Sequence, residues 1–291
     1  MADAEEPPAP LVEGVPEQIA DSTWVIPDRR VALVPNVGFV VGRDALLIVD
    51  TGMGPENGAR ILREAEQLAG GRRLLLTLTH FHPEHGFGAQ VFRSDATIVY
   101  NRLQRDELRE KGQAFVDMFR GFGPAIARLL EHVELVAPHV AYNREADIDL
   151  GGVEVQLRSV GPAHTRGDQI VLVPNERVLF TGDLVEDRFF PILPDDDAKG
   201  STWIALLERL EELQPALVVP GHGEVGDGEL IVAFRNHLVD VRETVRRVAA
   251  DGRSAEEAAP AVEAEIRDRY ADWENPDFIG WAVERFRSEL A

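Results

Sequence analysis

Three histidines and a carboxylate fall within six residues of Thr79-His80-Phe81-His82-Pro83-Glu84-His85-Gly86. The whole chain has eight histidines, so this density points to chemistry rather than chance. His80 and His82 are i and i+2, a spacing that puts two imidazoles on one face of an extended backbone. Glu84 and His85 follow in a loop, where they can turn towards a second point. Imidazole and carboxylate together suit Zn²⁺, and iron or manganese as well.

Other candidates share one local signature. Asp50 ends the apolar run Ala45-Leu46-Leu47-Ile48-Val49 and precedes Thr51-Gly52. His164 lies in Gly161-Pro162-Ala163-His164-Thr165-Arg166-Gly167-Asp168. Asp183 closes Thr181-Gly182-Asp183 after Val178-Leu179-Phe180, and His222 sits in Gly221-His222-Gly223 after Leu217-Val218-Val219-Pro220. Each stands at the carboxyl end of a short apolar run, beside glycine, where open α/β sheets place their sites. Asp168 reads as a supporting group for His164 or as a turn residue.

This ordered set resembles the metallo-β-lactamase-fold hydrolases. Their pattern is an Asp after an early strand, then H-x-H-x-D-H, a later His, a bridging Asp and a last His. The resemblance runs from about Ser22 to His222. Asp183 at the bridge makes the glyoxalase II and lactonase branch the nearer likeness. One position departs: Glu84 stands where the family has Asp, which bears on the second metal and not on the first.

The resemblance implies two Zn²⁺ per chain, with iron or manganese as substitutes. His80, His82 and His164 would hold one ion, Glu84, His85 and His222 the other, and Asp183 both. A hydroxide between the ions would then be the nucleophile that cleaves an ester, thioester, lactone or amide, β-lactams included. Glu84, Asp183 and Asp50 are the implied catalytic residues. Asp50 would orient an imidazole, and Glu84 could also pass a proton to the leaving group. Two alternatives stay open: a mononuclear-iron oxidoreductase like the sulfur dioxygenases, and a small-molecule phosphodiesterase.

The elements that must position these residues are legible in part. Residues 1–20, rich in Pro, Glu and Ala, read as a disordered lead-in, and 21–291 as a single domain. Ser22 to Ile26, Gly38 to Val41 and Ala45 to Asp50 read as antiparallel strands, with a turn at Gly42-Arg43-Asp44. A helix opens at Pro55 and ends at Gly70-Gly71. Leu74 to Leu78 is the strand that carries the histidines. A helical insert spans about 101–135, broken near Gly121-Phe122-Gly123-Pro124, either as a packed hairpin or as a cover lined by Phe115, Met118, Phe119 and Phe122. More strands follow between 148 and 181, then a helix from Ser201 to Leu213. The region from about 228 to 291 reads as helical, with breaks at Asp251-Gly252 and Pro260. The family likeness implies an α/β (α+β) four-layer αβ/βα sandwich, with two mixed sheets flanked by helices.

Composition bounds the partners. The net charge of −21 opposes nucleic acid and anionic membrane surfaces, which leaves a small-molecule substrate. Only Lys111 and Lys199 are lysines. With no cysteine, Cys-ligated zinc, Cys nucleophiles and disulfides are excluded. The first residues show no basic and apolar leader, so a cytoplasmic location is the expectation. Oligomeric state leaves no mark on the sequence. The stretch Arg188 to Asp197 lines the cleft or covers the core, and Trp203, Tyr270 and Trp273 suit core packing better than a pocket rim.

Overall fold

Apolar runs in the first half of the chain build one seven-stranded sheet. Its strands, in spatial as well as chain order, are β1 (Glu17–Gln18), β2 (Thr23–Ile26), β3 (Val37–Val41), β4 (Ala45–Val49), β5 (Arg73–Thr77), β6 (Ala96–Asn101) and β7 (Val140–Tyr142). The computed structural model describes residues 9–250 and 255–290. β1 to β4 pair antiparallel, and β4 to β7 pair parallel.

Parallel neighbours need a crossover. Helix α1 (Gly54–Ala69) supplies the one between β4 and β5. It has proline in its first turn and ends at Gly70, whose left-handed backbone lets its N–H reach the Glu66 carbonyl. The short helix α2 (Pro83–Gly86) and a 3₁₀ turn at Ala89–Phe92 lead to β6, and α3 (Arg102–Arg120) and α4 (Pro124–Leu129) lead to β7. Asn101 caps α3 by accepting from the Gln104 N–H at 2.9 Å.

The second sheet has the order β12-β11-β10-β9-β8. Its strands are β8 (Glu145–Asp149), β9 (Glu154–Ser159), β10 (Gln169–Val173), β11 (Val178–Gly182) and β12 (Leu217–Pro220). β11 and β12 pair parallel across helix α5 (Gly200–Glu211), and the other pairs are antiparallel. Helices α6 (Glu229–Ala250), α7 (Ala255–Arg269) and α8 (Ile279–Ser288) complete the chain.

Side-chain alternation sets the layers. Leu47 and Val49 of β4 face Val171 and Phe180 of the other sheet, while Leu46 and Ile48 face Ile61 and Phe119 on the helical side. Likewise Leu179 and Val218 meet Trp203, Leu207 and Phe234 under α5 and α6. All five β4 residues are buried, as a strand covered on both faces requires. The result is two mixed sheets flanked by helices. Among the described residues no helix is long and apolar enough to cross a membrane.

Four expectations need correction or restriction. Of the lead-in over 1–20, residues 1–8 lie outside the described residues, but the rest is docked rather than disordered. Val12 is buried and its N–H donates to Asn57 Oδ1 at 2.7 Å, and Glu17–Gln18 adds an edge strand. Composition averages over a segment and misses one apolar anchor with one hydrogen-bonding partner. The insert is helical only to Leu129, and β7 follows an irregular stretch. Pro260 does not break the C-terminal region, since α7 runs through it. Proline there forgoes one hydrogen bond of the helical ladder, and the helix continues on either side of it. The Asp251-Gly252 break lies outside the described residues.

Candidate metal centre

The parallel register of β4 and β5 places the Asp50 and His80–His85 segments side by side at one sheet end. His164 hangs from the β9–β10 loop, Asp183 follows β11 directly, and His222 follows β12. The carboxyl ends of both sheets thus converge. Asp50 holds a left-handed backbone, φ 71°, which Asp tolerates better than most residues.

Two groups of buried side chains result: His80, His82, His164 and Asp183, and Glu84, His85, Asp183 and His222. Within each group one donor atom per residue lies within 4.8 Å of the others, so each can hold a metal ion. Asp183 faces both. Its Oδ2 is 3.7 Å from His80 Nε2 and from His164 Nε2, while its Oδ1 is 3.0 Å from His85 Nε2 and 3.7 Å from His222 Nε2. The donors fit an ion. His80 Nε2, both Glu84 oxygens and both Asp183 oxygens are buried without a hydrogen-bond partner, a costly state for polar atoms that nothing coordinates.

A second set of contacts aims the rings. His85 Nδ1 donates to Asp50 Oδ2 at 2.8 Å, and Asp50 also accepts from Thr79 N at 2.7 Å and Thr79 Oγ1 at 2.8 Å. His222 Nδ1 donates to the Val34 carbonyl at 2.8 Å. These bonds fix the tautomer that leaves each Nε2 lone pair free for the centre. His82 is turned the other way. Its Nε2 donates to Asp195 Oδ2 at 2.7 Å, and its Nδ1 lies 3.1 Å from His164 Nε2. Asp168 accepts from the N–H groups of Ala163 and Thr165 and from Thr165 Oγ1, which holds the turn that presents His164.

The charges are strongly interdependent. Burial pulls the His82 imidazole down, but the hydrogen bond and charge of Asp195 outweigh it and raise its pKa. Burial likewise opposes a charged His85, yet Asp183 and Asp50 hold it well above the ordinary value. The Asp183 carboxyl is disfavoured by burial but kept well below the usual range by His85, His222 and His80. A bound cation would replace these protons as the counter-charge.

Four features are not legible in the sequence. Asp195 was placed only in the Arg188–Asp197 stretch, of which Phe189, Phe190 and Ile192 line the cleft. Its partner His82 is 113 residues away, and no local pattern links them. A third acidic group, Glu107, Asp195 and Asp197, has ligand-like spacing. The Lys111 ammonium already sits in it, at 3.0, 2.7 and 2.6 Å from the three carboxylates. One of only two lysines among 51 acidic residues was the available signal. Glu186 also lines the cleft, buried with one carboxyl oxygen unpaired. Finally, Gly221 is a close approach: a Cβ there would lie 1.9 Å from Asp183 Oδ1.

Residues 30–222 match the family model described as the metallo-beta-lactamase superfamily. The chain belongs to the metallo-β-lactamase superfamily. Its relatives within that superfamily act on different bonds. A linear primary-alkylsulfatase of Pseudomonas sp. is 25% identical over 223 residues, 64% of this chain and 40% of the relative. The chain therefore spans well under half the length of that protein. The acyl-coenzyme A thioesterase MBLAC2 of Homo sapiens is 27% identical over 225 residues, 70% of this chain and 78% of the relative. Among solved structures, a metallo-beta-lactamase from Pontibacter korlensis superposes with a TM-score of 0.63 at 20% identity, covering 77% of this chain and 98% of that one. That likeness shows the shared sandwich fold. In this superfamily member, Glu84 is buried on the first turn of α2, and its carboxylate belongs to the second donor group despite the extra methylene.

Proposed function

We propose that the chain is a metal-dependent hydrolase that cleaves an ester, thioester, lactone or amide bond. The observation that carries this reading is the pair of four-donor groups sharing Asp183, with buried oxygens and imidazole nitrogens that have no other partner. His80, His82, His164 and Asp183 would hold one ion, and Glu84, His85, His222 and Asp183 the other. Zn²⁺ suits these donors, and iron or manganese does too. Such ions supply Lewis acidity and an activated water at neutral pH.

The chain's own residues do the rest. Asp50, the Val34 carbonyl and Asp195 fix three imidazoles by their far nitrogens. Phe189, Ile192 and Phe278 give the cleft apolar walls. In the overall reaction water adds its oxygen to the carbonyl carbon, the bond to the leaving atom breaks, and the leaving group departs with a proton. Glu84, with both oxygens unpaired, would hand over that proton. The relatives named as thioesterase and alkylsulfatase support a hydrolytic reading in general, since they differ in the bond that their names imply.

Elemental analysis of protein purified without added metal or chelator is the direct test. Two zinc per chain, with turnover on a panel of lactones, thioesters and β-lactams, is the expected result. A single iron per chain, with oxygen consumption, would overturn it. Glu84→Asp, which shortens the carboxylate arm, is expected to raise occupancy of the second ion. Unchanged stoichiometry together with an unchanged rate would remove Glu84 from that role.

A further inference from the structure

The free space at the donor groups themselves is small, about 20 Å³, bounded in part by Glu84, Glu186, Phe189 and His222. It admits a reacting group the size of a water or little more, not the body of a substrate. Beside it lies a cavity of about 420 Å³. Leu33, Asn275 and Phe278 line both spaces, so the two meet at these side chains.

The far wall of the cavity is the corner of the helical insert between α3 and α4, formed by Phe122, Gly123, Pro124 and Ile126. Gly123 has φ 149°, and a Cβ there would meet nothing within 4 Å. The corner therefore borders open space rather than packed core. Ala32 and Ala125 are small residues where larger ones would fill the volume. Among the described lining residues Asn275 is the single polar side chain, and none is charged. Leu33 and Asn275, at the junction, both hold left-handed backbone, φ 62° and 59°. For leucine that conformation is rare, and such strain gathers where ligands are clamped.

A cavity of this size and lining has the character of a small-molecule site. Hydrocarbon gains by leaving water for it, whereas a charged or hydrogen-bonding group would lose its partners. At about 30 Å³ for a water-sized group, 420 Å³ takes a chain of roughly a dozen carbons. We infer that this cavity is the subsite for an aliphatic acyl or alkyl chain attached next to the scissile bond. The substrate class is then long-chain esters or thioesters. The bond cleaved rests on the hydrolase reading above; the chain rests on the cavity.

The test uses the full chain in two arms. In the first, straight-chain p-nitrophenyl esters from acetate to hexadecanoate are compared by kcat/KM on metal-loaded protein. A rise of about three- to fourfold per added methylene, levelling off near a dozen carbons, is expected. Ala32→Trp, which fills the cavity from an exposed position, and Phe122→Asp, which puts a charge in its wall, should each lower the dodecanoate-to-acetate ratio by about tenfold or more. In the second arm, dodecan-1-ol and butan-1-ol are titrated calorimetrically into chelator-treated protein. Dodecanol should bind far more tightly than butanol, and Ala32→Trp should abolish the difference. Flat or falling kcat/KM along the series, with no dodecanol binding, overturns the subsite. Chain-length dependence that both variants leave intact overturns its location. Dodecanol binding with no hydrolysis of these esters or of the matching acyl thioesters keeps the subsite and removes esters and thioesters from the hydrolase reading.

Discussion

Asp50 acts through other groups. Its carboxylate spends one oxygen on the Thr79 backbone and the other on Thr79 Oγ1 and His85 Nδ1. It thereby ties the end of β4 to the segment after β5 and sets the tautomer of an imidazole in the same stroke. Removing such a partner typically weakens metal binding by about 10–100-fold. Asp50→Ala should show that loss in a chelator competition with Zn²⁺, and an affinity equal to wild type would assign Asp50 to the turn alone. At this scale the sequence was most informative. The donor residues sit beside glycine at strand ends, and their order along the chain carries the family pattern. Asp195 was not legible, because its value depends on a contact with His82 that only the folded chain creates. Glu186 was hidden for the same reason, as one glutamate among many.

At the scale of elements, α3 is pinned to the site by one ammonium. Lys111 meets Glu107 on its own helix and Asp195 and Asp197 on the loop after β11. Burial favours neutral Asp195, but His82 and Lys111 hold it at about 2. Lys111→Met leaves three acids together and is expected to cost about 3 kcal/mol, read as a lower urea midpoint, with Lys111→Arg milder. An equal midpoint for wild type and Lys111→Met would show the ammonium to be incidental. On the opposite side α6 buries His237 among Phe190, Tyr270 and Trp273, with neither ring nitrogen paired. Burial lowers its pKa from 6.5 to about 3. Its folded form stays neutral while the unfolded form gains a proton below 6.5, so it erodes stability as pH falls from 6.5 to 3. His237→Phe should flatten that limb of the stability profile, and an unaltered slope would mean that other groups govern it. Strands and helix α1 were readable from short apolar runs and from glycine and proline punctuation. The docked lead-in was not, since a single contact such as Val12 to Asn57 overrides the composition of its segment.

At the scale of the whole molecule, the site lies on the seam between two half-sandwiches. The first group takes His80 and His82 from one half and His164 and Asp183 from the other, and the second takes Glu84 and His85 against Asp183 and His222. On the proposed reading, every ion joins two donors from each half. Chelation should then lower the thermal midpoint of the whole chain in one cooperative step. A midpoint indifferent to chelator would show that the sheet-to-sheet core around Leu47, Val171 and Phe180 holds the halves unaided.

The seam has a further consequence for supply. A ligand that binds only the folded form adds stability with the logarithm of its free concentration, about 2.7 kcal/mol at a hundredfold excess over Kd. If the proposed ions bind as these groups suggest, both halves must be in place for either to do so, and scarcity of metal would be felt first as exposure of the unfolded chain to proteases. The amount of protein, and not only its turnover number, would follow the metal available to it.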